Sequence, residues 1–322
     1  MAISTGLAAV GVESLPQESR ISANTRRETA AAKPHPPTSW GRGLASIVAS
    51  TIAPARWRVS LFRALALLVS LAYLPGVLLL IAPWAPSQIA RDLPKLSMLV
   101  VAWASATQPD SQRWAWGLSA VVDAAIAVVL LSLAWRPIGR PLLPQFLALA
   151  LVVAVGANIA FVGPGIVVAY SPLLLVLLAY PQPRRLLTPF WRGPVDPWML
   201  ALAAVVGAFL LPDAWRALQA QVQGADELSL NFGWASLLEH LANLWLIALL
   251  AASRRPGANL LALLAAGCFL YLGVAAIAVP DNPGSWGLLG GAVALTGCAG
   301  YVAMILRARA RGRRQPRQER SM

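Results

Sequence analysis

The chain has 322 residues, of which 58% are hydrophobic and only 12% charged, against roughly 45–50% apolar and 25% charged in a soluble domain. That excess is more than a water-filled surface tolerates, and it excludes the soluble globular class. The formal charge of +13 does not point to nucleic acid, because the arginines flank apolar segments and fill both ends of the chain; no nucleic-acid partner is expected.

Residues 1–57 are rich in Ala, Ser, Thr and Pro, carry the run KPHPP around His35 and lack apolar periodicity. This composition predicts a disordered cytoplasmic tail. Arg26 and Arg27 lie too far before the first long apolar run to form a twin-arginine signal, so no secretory leader is expected.

A hydrocarbon core about 30 Å thick takes roughly 20 helical residues, and lipid obliges each crossing to satisfy its own backbone. Eight apolar stretches follow in order: 61–83, 115–135, 143–162, 166–180, 198–211, 235–252, 260–279 and 286–306. The fourth and fifth are short, and Pro172 interrupts the fourth. Residues 96–107 form a ninth apolar run of about twelve residues, too few to span and better suited to an interfacial or re-entrant piece. The reading is an all-α, polytopic transmembrane helix bundle of about eight helices, with the lipid bilayer as its principal partner.

Arginines occupy every second gap: Arg136 and Arg140, then Arg184, Arg185 and Arg192, then Arg254 and Arg255. With Arg56, Arg58 and Arg63 before the first stretch and Arg307, Arg309, Arg311, Arg313 and Arg314 after the last, this alternation predicts a multi-pass cell-membrane protein with both termini in the cytoplasm. The basic tail 307–322 is expected to touch anionic lipid headgroups. Tryptophans such as Trp114, Trp135, Trp198, Trp234 and Trp286 fall near the ends of the stretches, as interface anchors do.

Arg136, Pro137, Pro164 and Gly165 recur as Arg255, Pro256, Pro283 and Gly284, each 119 positions on. Four crossings return a chain to its starting side. The pattern therefore predicts two parallel four-helix units, 58–190 and 191–306, related by an axis along the membrane normal. Gly287 and Gly291, with Gly297 and Gly300 beyond, let another backbone approach closely, more simply a helix of the same chain than a second copy. The oligomeric state stays open.

Polar residues inside the stretches mark the candidate site. An aspartate at a helix centre costs about 2.5–3.5 kcal/mol on insertion scales, so it faces a partner or water. Asp123 lies in the second stretch, Asn158 in the third, Tyr170 in the fourth, Glu239, His240 and Asn243 in the sixth and Tyr271 in the seventh. All seven fall in the outer half of the bilayer on this reading. Together they suggest a polar pocket that binds a small-molecule ligand or passes protons; hydrogen bonding between helices is the plainer alternative.

Several chemistries are argued down. His240 is the single histidine in the stretches, which leaves no bis-histidine haem, and none of them holds a lysine for a retinal Schiff base. Glu239-His240 lacks the second histidine of a zinc protease, Cys268 and Cys298 have no ligand spacing, and no phosphate-binding glycine loop precedes a helix. No cofactor, metal or catalytic residue is assigned. Three function classes remain open: a small-molecule or proton-coupled carrier, a non-catalytic component or anchor of a larger assembly, and, with less support, a membrane enzyme acting on a lipid-linked substrate through Asp92 and Asp110. An enzyme is the least favoured.

Overall fold

The computed structural model describes residues 56–73, 80, 113–188, 193–224, 227–230, 232–281 and 284–319. The tail expected over 1–57, apart from its last two residues, and the segment 96–107 lie outside them. Among the described residues the structure is helical, with no strand beyond one isolated bridge between Val195 and Ser253. The helices are α1 (Arg56–Ala72), α2 (Arg113–Trp135), α3 (Leu142–Val162), α4 (Gly165–Ala169), α5 (Ser171–Leu178), α6 (Pro197–Gln223), α7 (Glu227–Leu230), α8 (Gly233–Ala251), α9 (Ala258–Ala278) and α10 (Gly287–Glu319).

Six of these are long and apolar enough to cross a membrane, with mean hydropathy from 1.4 to 2.4: Trp114–Trp135, Leu142–Val162, Pro197–Gln223, Gly233–Ala251, Ala258–Ala278 and Gly287–Ala310. Large apolar side chains such as Leu68, Val152, Val205 and Leu289 are exposed, whereas Glu239, His240 and Asn243 are buried. Apolar outside and polar within is the distribution that a lipid surround favours.

The expected first and fourth crossings take other forms. The described part of the first is the 17-residue α1. The fourth breaks into α4 and α5 at Tyr170, because Pro172 has no amide to give the Val168 carbonyl; the Ser171 hydroxyl donates to that carbonyl instead, at 2.7 Å. The expected fifth crossing, 198–211, continues through Pro212 to Gln223, and α10 runs beyond residue 306 to Glu319. Between α3 and α4 the chain reverses at Gly163, whose φ of 77° is a left-handed conformation that a side chain would strain.

α8 lies at the centre and packs on α2, α3, α6 and α9, while α9 and α10 form the most extensive helix pair. At the arginine-bearing end, the loops are clasped to one another. Asp196 caps α6 by accepting from the Trp198 and Met199 amides at 3.1 and 3.4 Å and pairs with Arg254 at 3.3 Å. The backbone adds Asp196 N–H to Ala252 O at 2.8 Å and Arg254 N–H to Pro194 O at 3.0 Å.

Buried Gln145 ties a second loop to this end. Its amide donates to the carbonyls of Arg185 and Thr188, both at 2.6 Å, and its oxygen accepts from Arg255 at 3.3 Å. Gln145→Leu leaves two carbonyls and a guanidinium without this partner, so it is expected to lower stability by about 1–3 kcal/mol. A thermal melt in detergent checks this. An unchanged melting temperature would mean that water replaces all three bonds.

Candidate functional site

The polar residues meet where α2, α3, α8 and the α4–α5 junction converge. At about 1.5 Å per residue, Asp123 is about 15 Å along α2 from its start and Glu239 about 9 Å along α8, both helices running from the end opposite the Asp196–Arg254 clasp. The break at Pro172 gives Tyr170 its place, for Tyr170 closes α4 and opens α5.

Glu239 gathers two donors on one oxygen. Asn158 Nδ2 donates to Oε2 at 2.8 Å and Tyr170 OH donates to it at 2.5 Å. Asn158 also donates to the Ala154 carbonyl of its own helix at 2.8 Å. Glu239 thereby joins three segments of the chain, and at 4% exposure it has little recourse to water.

His240, one residue on, faces α2. Its Nδ1 lies 2.6 Å from the Ser236 carbonyl, which only accepts, so Nδ1 carries a proton. Nε2 stands 3.4 Å from Asp123 Oδ1. A bare nitrogen lone pair against a bare carboxylate would repel, so the contact is favourable when one proton lies between them, on either atom. The pair with that proton is neutral overall.

These groups surround a cavity of about 180 Å³ lined by Tyr73, Asp123, Tyr170, Glu239, His240 and Asn243, with Ile126, Ala150, Ala154 and Leu173 as its apolar wall. Asn243, at 1% exposure, presents an Oδ1 that has no hydrogen-bond partner. Six of the seven residues singled out from the sequence thus meet at one place. Tyr271 does not: its hydroxyl donates to the Leu80 carbonyl at 2.5 Å, and it is absent from the cavity lining.

Tyr73, just past the end of α1, is the lining residue that the sequence reading missed. A hydroxyl inside an apolar stretch was the available signal. Cys268 of α9 approaches the Val121 carbonyl at 3.8 Å and packs as a small residue.

Among the described residues no three His, Cys, Asp or Glu side chains are placed to hold a metal ion. A larger cavity of about 260 Å³ between α6, α9 and α10 is bounded by Leu202, Phe209, Phe269 and Gly297, with Thr296 as its sole polar side chain. It offers no charge with which to orient a ligand. Comparison with protein-family models, curated proteins and solved structures gives no match to this chain.

Proposed function

We propose that this protein is a multi-pass carrier that binds a small molecule, coupled to protons, in the cavity between α2, α3 and α8. The observation that carries the reading is the meeting of Asp123 from α2 with Glu239 and His240 from α8 at one cavity, with His240 Nε2 3.4 Å from Asp123 Oδ1. Every titratable group that faces it among the described residues is then part of the coupling: Tyr73 just past α1, Asp123 from α2, Tyr170 from the α4–α5 junction, and Glu239 and His240 from α8.

The proposed topology has eight crossings, with α1 and the broken α4–α5 as first and fourth, the arginine-bearing end in the cytoplasm and the cavity opening outward. Two parallel units, 58–190 and 191–306, are part of the same proposal. It is supported by recurring helix pairs: α1 packs on α2 as α6 packs on α8, α5 on α1 as α10 on α6, and α8 on α3 as α2 on α9. Residues 1–57 and 307–322 would be the cytoplasmic tails, the latter on anionic headgroups.

Proteoliposomes holding a pH-sensitive dye test the activity, with a potassium gradient and valinomycin to set the potential. Proton entry is expected to depend on the protein and to be lost in Asp123→Asn, which keeps shape and removes the titratable group, while abundance and melting temperature hold. Entry no faster than in empty vesicles, both without and with small molecules added outside, would end the carrier reading. A second reading, a non-catalytic component of a membrane assembly, draws on Asn158 and Tyr170 both being satisfied by Glu239, as structural bonding between helices requires. A melting temperature that falls in Asp123→Asn with proton entry unchanged would favour it.

A further inference from the structure

We infer that the ligand of this cavity is a small primary ammonium of about six to eight non-hydrogen atoms; the inference rests on the carrier reading and names its substrate class. The first support is charge. With its shared proton the Asp123–His240 pair is neutral, whereas Glu239 is held by two neutral donors, Asn158 and Tyr170, and among the described residues no lysine or arginine lines the cavity. An ionised Glu239 leaves one negative charge to balance, and a monovalent cation balances it.

The second support is hydrogen bonding. Asn243 Oδ1 is a buried acceptor with no donor, and its residue is one of those that line the same cavity as the carboxylates. An acceptor left so costs about 1–3 kcal/mol, and a ligand N–H removes that cost. An ammonium head brings three donors, suited to Asn243 and to the carboxylates of Asp123 and Glu239. A quaternary ammonium has no N–H to offer, an anion meets the carboxylates of Asp123 and Glu239, and among the described residues a metal ion finds no set of three ligands.

Size and shape complete the argument. Ile126, Ala150, Ala154 and Leu173 make the wall apolar, so a short hydrocarbon tail has a place beside the charged head. An engineered cavity of about 150 Å³ takes benzene, and the 180 Å³ here admits a molecule of that order.

The test is the melting temperature of the full chain in nanodiscs, titrated at constant pH and ionic strength with hexylammonium chloride, hexan-1-ol, sodium hexanoate or trimethylpentylammonium chloride. Hexylammonium is expected to raise it saturably and the other three are not. Asn243→Leu is expected to raise the dissociation constant at least tenfold, and Glu239→Gln, which preserves shape, to abolish the shift. No saturable shift with hexylammonium, an equal shift with the alcohol or the quaternary ion, or an unchanged response in both variants overturns the inference. Failure of the class and failure of the carrier reading separate cleanly. If hexanoate or hexanol binds and both variants abolish that binding, the ammonium class falls while the pocket stands. If hexylammonium binds as expected yet the protein carries no protons across vesicles, the carrier reading falls and the ligand class stands.

Discussion

Gly291→Val is expected to lower the melting temperature more than any other single substitution between the membrane helices, because the space it needs is occupied by backbone. A Cβ at Gly291 would sit 2.9 Å from the Gly273 carbonyl oxygen, 2.7 Å from Ile277 Cγ1 and 3.2 Å from Ala276 Cβ. The approach is mutual, for a Cβ at Gly273 would sit 3.0 Å from the Gly291 carbonyl oxygen and 2.8 Å from Leu295 Cγ. Flexible side chains move aside, but two helix backbones do so only by separating along their length. Overpacking of this kind costs about 1–3 kcal/mol and more when the backbone must shift. Gly297→Ala is the control, since its nearest neighbour would be Phe269 Cγ at 3.9 Å, an ordinary contact. Thermal melts of both variants in one detergent decide the matter. If Gly291→Val melts with the wild type, α9 and α10 are not in this contact in solution.

Glu239→Leu is the second large effect expected, and its cause is polar. Leucine is apolar and of similar bulk, so lipid insertion of α8 becomes easier while Asn158 Nδ2 and Tyr170 OH lose the oxygen they share. Each buried donor left without a partner costs about 1–3 kcal/mol, with the larger values where a charged group was removed. The loss in the folded bundle is expected to outweigh the gain on insertion. Glu239→Gln is expected to fall between wild type and Glu239→Leu, because its one carbonyl oxygen still accepts while its amide faces two other donors. Melting temperatures in the order wild type, Gln, Leu support this account; a leucine variant as stable as the wild type refutes it.

The helical class and the site were legible in the sequence for one reason, the cost of polar groups in lipid. Asp123, Glu239, His240 and Asn243 stand out because an apolar stretch has no other use for them. Depth is countable along each helix, which groups Asn158 and Tyr170 with them, and both donate to Glu239. Rotation about the helix axis is not countable in this way, and Tyr271 bonds to the Leu80 carbonyl instead of lining the cavity. Tyr73 carries a weaker signal, because a single tyrosine hydroxyl in an apolar stretch costs far less than a carboxylate there.

Boundaries were harder. Leu-Pro-Asp at 211–213 reads as the end of a helix, yet α6 continues to Gln223, since packing on α8 and α10 holds the chain helical through the missing bond. The clasp at the arginine-bearing end was not legible at all. Gln145, Asp196 and Arg254 meet partners in other loops, and nothing in the spacing of those residues records it.

Glu239 and its donors also impose an order on biosynthesis. Asn158 precedes Glu239 by 81 positions, and at about 5–20 residues per second a ribosome takes roughly 4–16 s to cover that distance. α3 and the α4–α5 pair are therefore made first and wait with their donors unspent. α8, whose mean hydropathy of 1.4 is the lowest of the six apolar spans, emerges afterwards, when hydrogen-bond partners for its polar face have already been made. The helix least able to enter lipid alone is the one delivered last to its partners at this site.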